Sequence, residues 1–392
     1  MEYNNDFLGS IAQENVQFAT QIVKTASVGE NYWKVMIFVD NAQFITADDV
    51  SWIAIPGSTK GAKALVVNAD NYAEHTTGKL NSWLVDLFST GFLGDCILVN
   101  CGITFDDLDT ALFIEAMNEA YSLMKAYAYH KTICLDGTDA EIKDVVVELA
   151  KLCAQDKGLL SSAPYLPFYI SDTVDDYTDV ENCVLYKALM DANTDAFMTC
   201  YMDNTRNASL YSLGLALSYY NGSGTQVGNT FDMYASGMIK ASGPNGTDIG
   251  KSIRDYLKGE NIPTFKYVGD NSGNVAAIGD KSIQGDIISA TWIIAYITYM
   301  TKVGVARLLT STPNFLKTEN NYGKIITIMQ SYLSLFGPTG SGRLGDLLIT
   351  APVFAALPPA AGDEIIIPNA WSARYIDHVR NVKITGTLYI GV

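Results

Sequence analysis

Hydrophobic positions along the chain follow two rhythms. Six short apolar runs lie at residues 35–39, 64–67, 96–99, 131–135, 167–170 and 196–200. They are too short for helices and too continuously apolar for strands with one wet face, so they predict strands buried on both sides, as in a largely parallel sheet. Between them the period lengthens, with helical spacing over residues 107–127 and 138–153. In the second of these, Thr138 and Glu141 form a capping box, and Ile142, Val145, Val146, Leu149 and Leu152 make an i, i+3, i+4 stripe. Strands alternating with helices predict an α/β body.

The texture changes near residue 262. Residues 265–268 and 274–278 flank Gly269, Asp270, Asn271, Ser272 and Gly273, a pattern that predicts a β-hairpin. Two long helices follow, at about 286–309 and 322–336, then a connection containing Pro352, Pro358 and Pro359, then strands from residue 365 onward. The last strand is the most regular. Val382, Ile384, Leu388, Ile390 and Val392 fall on one face, and Asn381, Lys383, Thr385, Thr387 and Tyr389 on the other. Nothing follows it to close a hairpin, so its partner lies earlier in the chain or in another subunit. Residues 1–30 are polar and poorly patterned and read as an arm. The expected organisation is an arm over 1–30, an α/β body over 31–262, and a C-terminal helix-and-strand domain over 263–392.

Composition narrows the function classes. A chain of 392 residues that is 48% hydrophobic can fill one large or two ordinary cores. A net charge of −16 argues against nucleic acid or an anionic membrane as the main partner. Cys96, Cys101, Cys134, Cys153, Cys183 and Cys200 include no C-x-x-C pair and sit mostly in apolar runs, the pattern of buried thiols in a reducing compartment. The opening Met1-Glu-Tyr-Asn-Asn-Asp-Phe7 has neither a basic n-region nor an apolar h-region, so no secretory signal is expected. Residues 287–301 are free of charge but shorter than the roughly 20 residues of a membrane span, which predicts a buried core helix.

Catalytic signals are thin. His75, His130 and His378 stand in unrelated contexts, and no G-x-S-x-G elbow is present. Gly337-Pro-Thr-Gly-Ser-Gly-Arg343-Leu344 approaches a phosphate-binding loop, but carries Arg and Leu where that loop needs Lys and Ser/Thr and follows a helix, so it reads as a helix-to-helix turn. Asp172, Asp175, Asp176, Asp179 and Glu181 lack the order of a calcium loop and read as a solvated surface. Asp106, Asp107 and Asp109 place negative charge at a helix N-terminus. No catalytic residue, metal site or cofactor is expected. One local imbalance stands out: between residues 287 and 345 there are five basic side chains (Lys302, Arg307, Lys317, Lys324, Arg343) against one acid, Glu319, a net +4. Two readings stay open, a surface with an acidic partner of its own or charges that cap helix ends and solvate exposed faces.

The order of these parts resembles the tail sheath proteins of contractile bacteriophages, chiefly over residues 195–392. The resemblance rests on the Gly- and Asn-rich hairpin, the long helix with Ile-Ile-Ser-Ala-Thr-Trp292-Ile-Ile-Ala-Tyr, the segment Lys317-Thr-Glu-Asn-Asn-Tyr-Gly-Lys-Ile-Ile, a second helix, and the run through Arg374, Val382-Lys-Ile-Thr and Tyr389-Ile-Gly-Val. The N-terminal half fits in its general α/β texture, and the Pro-Gly-Val opening of many sheath proteins is absent. The resemblance implies a non-enzymatic subunit that polymerises helically in stacked rings around a tail tube. It also implies contacts to baseplate and tail terminator proteins and assembly in the host cytoplasm into a virion tail, without nucleic-acid binding or membrane insertion. Terminal arms would add strands to sheets of neighbouring subunits, with Val382, Ile384, Leu388, Ile390 and Val392 in the exchanged strand. The inner C-terminal domain would turn Lys302, Arg307, Lys317 and Lys324 toward the tube. An α/β enzyme of another type, or the sheath of a related contractile injection system, are the alternatives.

Overall fold

The computed structural model describes residues 34–40, 52–125, 127–155, 168–172, 180, 183–200, 210–211, 213–214, 217, 234–236, 251–262, 264–267, 274–278, 281–285, 287–312, 315–358 and 365–376. The elements begin with β1 (Val35–Val39), β2 (Ile53–Ala54), β3 (Lys63–Val67), α1 (Gly78–Phe88), β4 (Cys96–Asn100), α2 (Thr110–Met124), β5 (His130–Ile133) and α3 (Asp139–Gln155). They continue with β6 (Phe168–Asp172), α4 (Val184–Asp191), β7 (Ala196–Cys200), β8 (Tyr234–Ser236), α5 (Lys251–Gly259), β9 (Thr264–Tyr267) and β10 (Asn274–Ile278). Last come α6 (Ile288–Ser311), α7 (Glu319–Ser334), β11 (Leu344–Ile349) and β12 (Trp371–Tyr375).

Five strands form one sheet in the order β2-β3-β4-β1-β5. β1 pairs in parallel with β4 and with β5, whereas β2–β3 and β3–β4 are antiparallel. The expectation of a mostly parallel sheet is therefore corrected to a mixed one. The cause is visible in β3: Leu65 and Val67 are buried but Val66 is 47% exposed, so this apolar run covers one face only, which is the habit of an antiparallel strand rather than a central parallel one. Beyond β5 the parallel pair β6–β7 continues the layer.

The pleat of β1 divides the core in two. Met36 and Phe38 point to one face, where they meet Phe113, Ala116, Met117 and Ala120 of α2 and Val145, Val146 and Leu149 of α3. Val35, Ile37 and Val39 point to the other, where they meet Leu80, Trp83, Leu84 and Leu87 of α1, Ile293, Tyr296 and Ile297 of α6, and Met329 and Leu333 of α7. β7 is split the same way, with Ala196 and Met198 in the first cluster and Phe197 in the second. The result is three layers, helices on both sides of a sheet. The long helices that follow residue 262 in sequence thus close the second face of the sheet that precedes them, each buried Leu, Ile or Phe contributing about 1.5–3 kcal/mol.

Local signals set the boundaries. α3 begins where the Thr138 backbone N–H (2.6 Å) and hydroxyl (2.9 Å) both donate to Glu141, and the backbone donor above all holds the Glu141 carboxyl below its usual range. Asp106 and Asp109 accept the amides of Leu108 and Leu112 at the start of α2. β9 and β10 pair antiparallel as the hairpin pattern requires, with β8 added on the far side of β10.

The loop after α7 corrects another expectation, because it leads into a strand, β11, and not into a helix. The Ser341 amide donates to the Leu335 carbonyl at 2.8 Å, and the Gly340 and Gly342 amides donate to Gly337 at 2.9 and 3.0 Å. A β-carbon at Gly340 would sit 2.1 Å from the Leu335 carbonyl oxygen. The glycines serve a helix end folded back on its own carbonyls, and these amides are committed inward rather than presented to a phosphate.

Candidate interaction surfaces

α6 and α7, joined by a short connection, pack against each other on the second face of the sheet. Gly304 of α6 lies against α7 so closely that a β-carbon there would be 2.6 Å from Ile328 Cγ2. From this crossing, Arg307 lies one turn further along α6 and Lys324 one turn back along α7, so both fall toward the tip of the hairpin. Lys317 stands in the connection at that same end. Arg307, Lys317 and Lys324 are all exposed.

Lys302 behaves differently. It is buried, 6% exposed, and burial pushes its ammonium down from 10.5 to about 8. It is therefore removed from the exposed basic set. At the same end α7 begins with the Thr318 hydroxyl accepting the Asn321 amide at 3.3 Å, and the exposed Glu319 in its first turn sets one negative charge against the positive end of the helix.

Two further tip residues escaped the sequence reading. Leu316 is 64% exposed. Asn321 donates its side-chain N–H to the Leu316 carbonyl at 2.9 Å and accepts from Lys324 Nζ at 3.1 Å, tying the connection to the first turn of α7. The apolar pair Phe315-Leu316 inside a short connection between two helices was the signal available for Leu316.

A second surface lies at β11–β12. Among the described residues this antiparallel pair is two strands wide, and its register breaks between Gly345 and Leu348. At the break Asp346 has φ of +51° and Arg374 donates to it at 2.8 Å. One face, carrying Leu347, Trp371, Ala373 and Tyr375, packs on the second core. Leu348 (60% exposed), Val353, Ile366 and Ile376 remain open to solvent nearby. Isolated two-stranded ribbons are marginal alone, and this one keeps its shape through the core-facing side.

The proposed exchanged strand, Val382, Ile384, Leu388, Ile390 and Val392, lies outside the described residues, as do His378, Asp175, Asp176, Asp179, Glu181 and the glycine run 222–228. His130 is buried in β5, and burial holds its imidazole well below the usual range. His75 ends a separate short helix, Tyr72–His75. Cys96, Cys101, Cys134, Cys153 and Cys183 are buried free thiols, with burial pushing Cys96 and Cys101 upward, away from the reactive thiolate. Among the described residues no group of three or more His, Cys, Asp or Glu could hold a metal ion, and no helix is long and apolar enough to cross a membrane.

No protein-family model matches the sequence, and no curated protein does. Solved structures do match. A chain from the cryo-EM structure of the anti-feeding prophage baseplate aligns with a TM-score of 0.57 at 11% identity, covering 94% of this chain and 98% of that one. A chain from the contracted sheath complex of an extracellular contractile injection system, PVC, aligns with a TM-score of 0.52 at 12% identity, covering 93% and 96%. The chain therefore shares, over nearly its whole length, the fold of structural components of contractile injection systems.

Proposed function

We propose that this protein is the sheath subunit of a contractile tail or injection machine, polymerising helically around an inner tube and contracting to drive the tube through a target envelope. The observation that carries the reading is the fold match to a sheath-complex chain across 93% of this chain and 96% of that one. Two surfaces fit it. The β11–β12 ribbon has two strands among the described residues, with Leu348 open on it and Val353, Ile366 and Ile376 open beside it, and is suited to accept strands from neighbouring subunits, including the alternating strand with Val382, Ile384, Leu388, Ile390 and Val392. The basic tip with Arg307, Lys317 and Lys324 is suited to an acidic tube surface. Contacts to baseplate and terminator proteins and a place in the virion tail or its injection-machine counterpart belong to the same reading. No catalytic role is proposed.

Deleting residues 382–392 tests it. Five apolar side chains plus backbone pairing are worth several kcal/mol at about 25 cal/mol per Å², so the truncated protein should stay folded and monomeric where the full chain forms tubular polymers by negative-stain microscopy. A truncated protein that unfolds, or one that still forms tubes, defeats the strand-exchange assignment. A baseplate role is the second reading, favoured by the anti-feeding prophage match; closed rings that never stack would select it.

A further inference from the structure

We propose that residues 11–26, which lie outside the described residues, supply an amphipathic helix that docks on the open end of the sheet's first face, over β2 and β3 of the same chain. The inference is independent of the sheath reading. On this face α2 and α3 cover Met36 and Phe38 of β1. α2 is also strapped to the β2–β3 turn, where the Thr59 hydroxyl donates to Glu119 at 2.9 Å and Lys60 pairs with Glu115 at 3.0 Å. Away from that turn the cover runs out. Ala62 is 2% exposed, Ala64 is half-buried against the first core, and Val66, next on the same face, is 47% exposed. Ile53 of β2 stands opposite Ala64, so it shares this face, and it is 67% exposed. Apolar side chains left open together on a sheet face are what a packed helix covers.

Pattern and reach identify the occupant. Within the polar arm, Ser10 with Gln13 three residues on makes a capping box. From there to residue 26 no Gly or Pro intervenes. At the helical repeat Ile11, Val16, Phe18, Ile22 and Val23, with alanines between them, fall within an arc of about 160°. Gln13, Glu14, Gln17, Gln21 and Lys24 fall on the other side, and Asn15 alone interrupts the apolar arc. The alanines let such a stripe lie close to a sheet. A helix over 11–26 is about 24 Å long at 1.5 Å per residue, enough to span β3. Residues 27–33, which lead from it to β1, reach up to about 23 Å when extended. β3 is separated from β1 by β4 alone, a distance of roughly 10 Å. Val66 pairs with Ile97 and Ile97 with Met36, so the open patch lies level with the start of β1, where the arm enters the sheet.

The experiment is hydrogen–deuterium exchange of the full-length protein, read by mass spectrometry on dilute protein at two concentrations. A helix of this length is marginal alone, so only docking protects it, and its amides should exchange at least about tenfold more slowly than those of an unfolded chain at both concentrations. Val66→Asp and Ile53→Asp each alter an exposed position and should remove that protection while β1 and β4 keep theirs. Should Val66→Asp also loosen β1 and β4, Ile53→Asp on the two-residue edge strand decides. Phe18→Ser with Ile22→Ser, outside the described residues, should free the segment and leave the sheet unchanged. Unfolded-chain exchange over 11–26 in the unaltered protein overturns the proposal, as does protection that survives the arm variant. Protection that survives the sheet variants places the helix elsewhere, and protection that grows with concentration places it on a second copy; either result also overturns it.

Discussion

Gly304→Ala is the sharpest test of how the basic tip is held. Glycine inside a helix costs roughly 0.5–1 kcal/mol relative to alanine, so an ordinary helix position would be stabilised by the change. At 304 the added β-carbon would stand 2.6 Å from Ile328 Cγ2 and 3.4 Å from the Tyr332 ring, well inside contact distance, and α6 and α7 must move apart to admit it. Overpacking of this kind costs about 1–3 kcal/mol, which offsets or outweighs the propensity gain and leaves a net loss of up to about 2.5 kcal/mol. Ile328→Ala removes the obstructing methyl. In that background Gly304→Ala should cost nothing, or stabilise by about 0.5–1 kcal/mol, a coupling of about 1–3 kcal/mol between the two sites. Urea midpoints of the four proteins, taken as dilute monomers, give the cycle. An equal effect of Gly304→Ala in both backgrounds would refute the close crossing, and with it the placement of Arg307 and Lys324 at one end.

Two further predictions follow from packing and burial. Gly340→Ala should cost roughly 1–3 kcal/mol, because its β-carbon would meet the Leu335 carbonyl oxygen at 2.1 Å, whereas Gly323→Ala on the open side of α7 meets nothing within 4 Å and should stabilise by about 1 kcal/mol; denaturation midpoints moving the same way for both would contradict the turn. Lys302 titrates near 8 in the folded chain against 10.5 unfolded, so between those values the unfolded chain holds more protons and stability contributed by this site rises with pH. Lys302→Met should abolish that rise; identical pH profiles for the two proteins would show the ammonium is not desolvated.

Much of the sheet was legible because buried strands declare themselves by continuous apolarity. The runs at 35–39 and 196–200 coincide with β1 and β7 to the residue, and the hairpin at β9–β10 was marked by its Gly-containing turn. Direction was not legible. A four- or five-residue apolar run does not say whether its second face is covered, and β3, with Val66 half exposed, was covered on one. β11 was invisible for a different reason: Gly345 and Asp346 break the period-2 pattern where the register shifts, and such a bulge reads in sequence as a turn. α7 starts at Glu319, three residues before the apolar stripe suggested, because Thr318 supplies the cap. Lys302 misled because α6 is apolar nearly all round, so its sequence carries no polar stripe from which to read which side faces water.

Where the charges sit along α6 bears on how a sheath subunit would transmit force. Ile293, Tyr296 and Ile297 fix the first half of the helix in the second core, while Arg307 lies 14 residues beyond Ile293, about 21 Å along the axis at 1.5 Å per residue. On the sheath reading proposed above, with the tip facing the tube, its contacts would have to release in every ring on contraction, a need that weak exposed pairs of about 0–1 kcal/mol meet. The helix that carries them must not yield when they break. Its burial against the sheet supplies that stiffness, and the crossing at Gly304 clamps it to α7 close to the tip. Loosening that crossing would leave the tip residues and their individual affinities intact while letting subunits release independently, so the Gly304→Ala protein, once assembled on tubes, should detach subunit by subunit rather than ring by ring. Cooperative release by Gly304→Ala sleeves, seen as all-or-none contraction in electron micrographs, would show that the stiffness resides elsewhere.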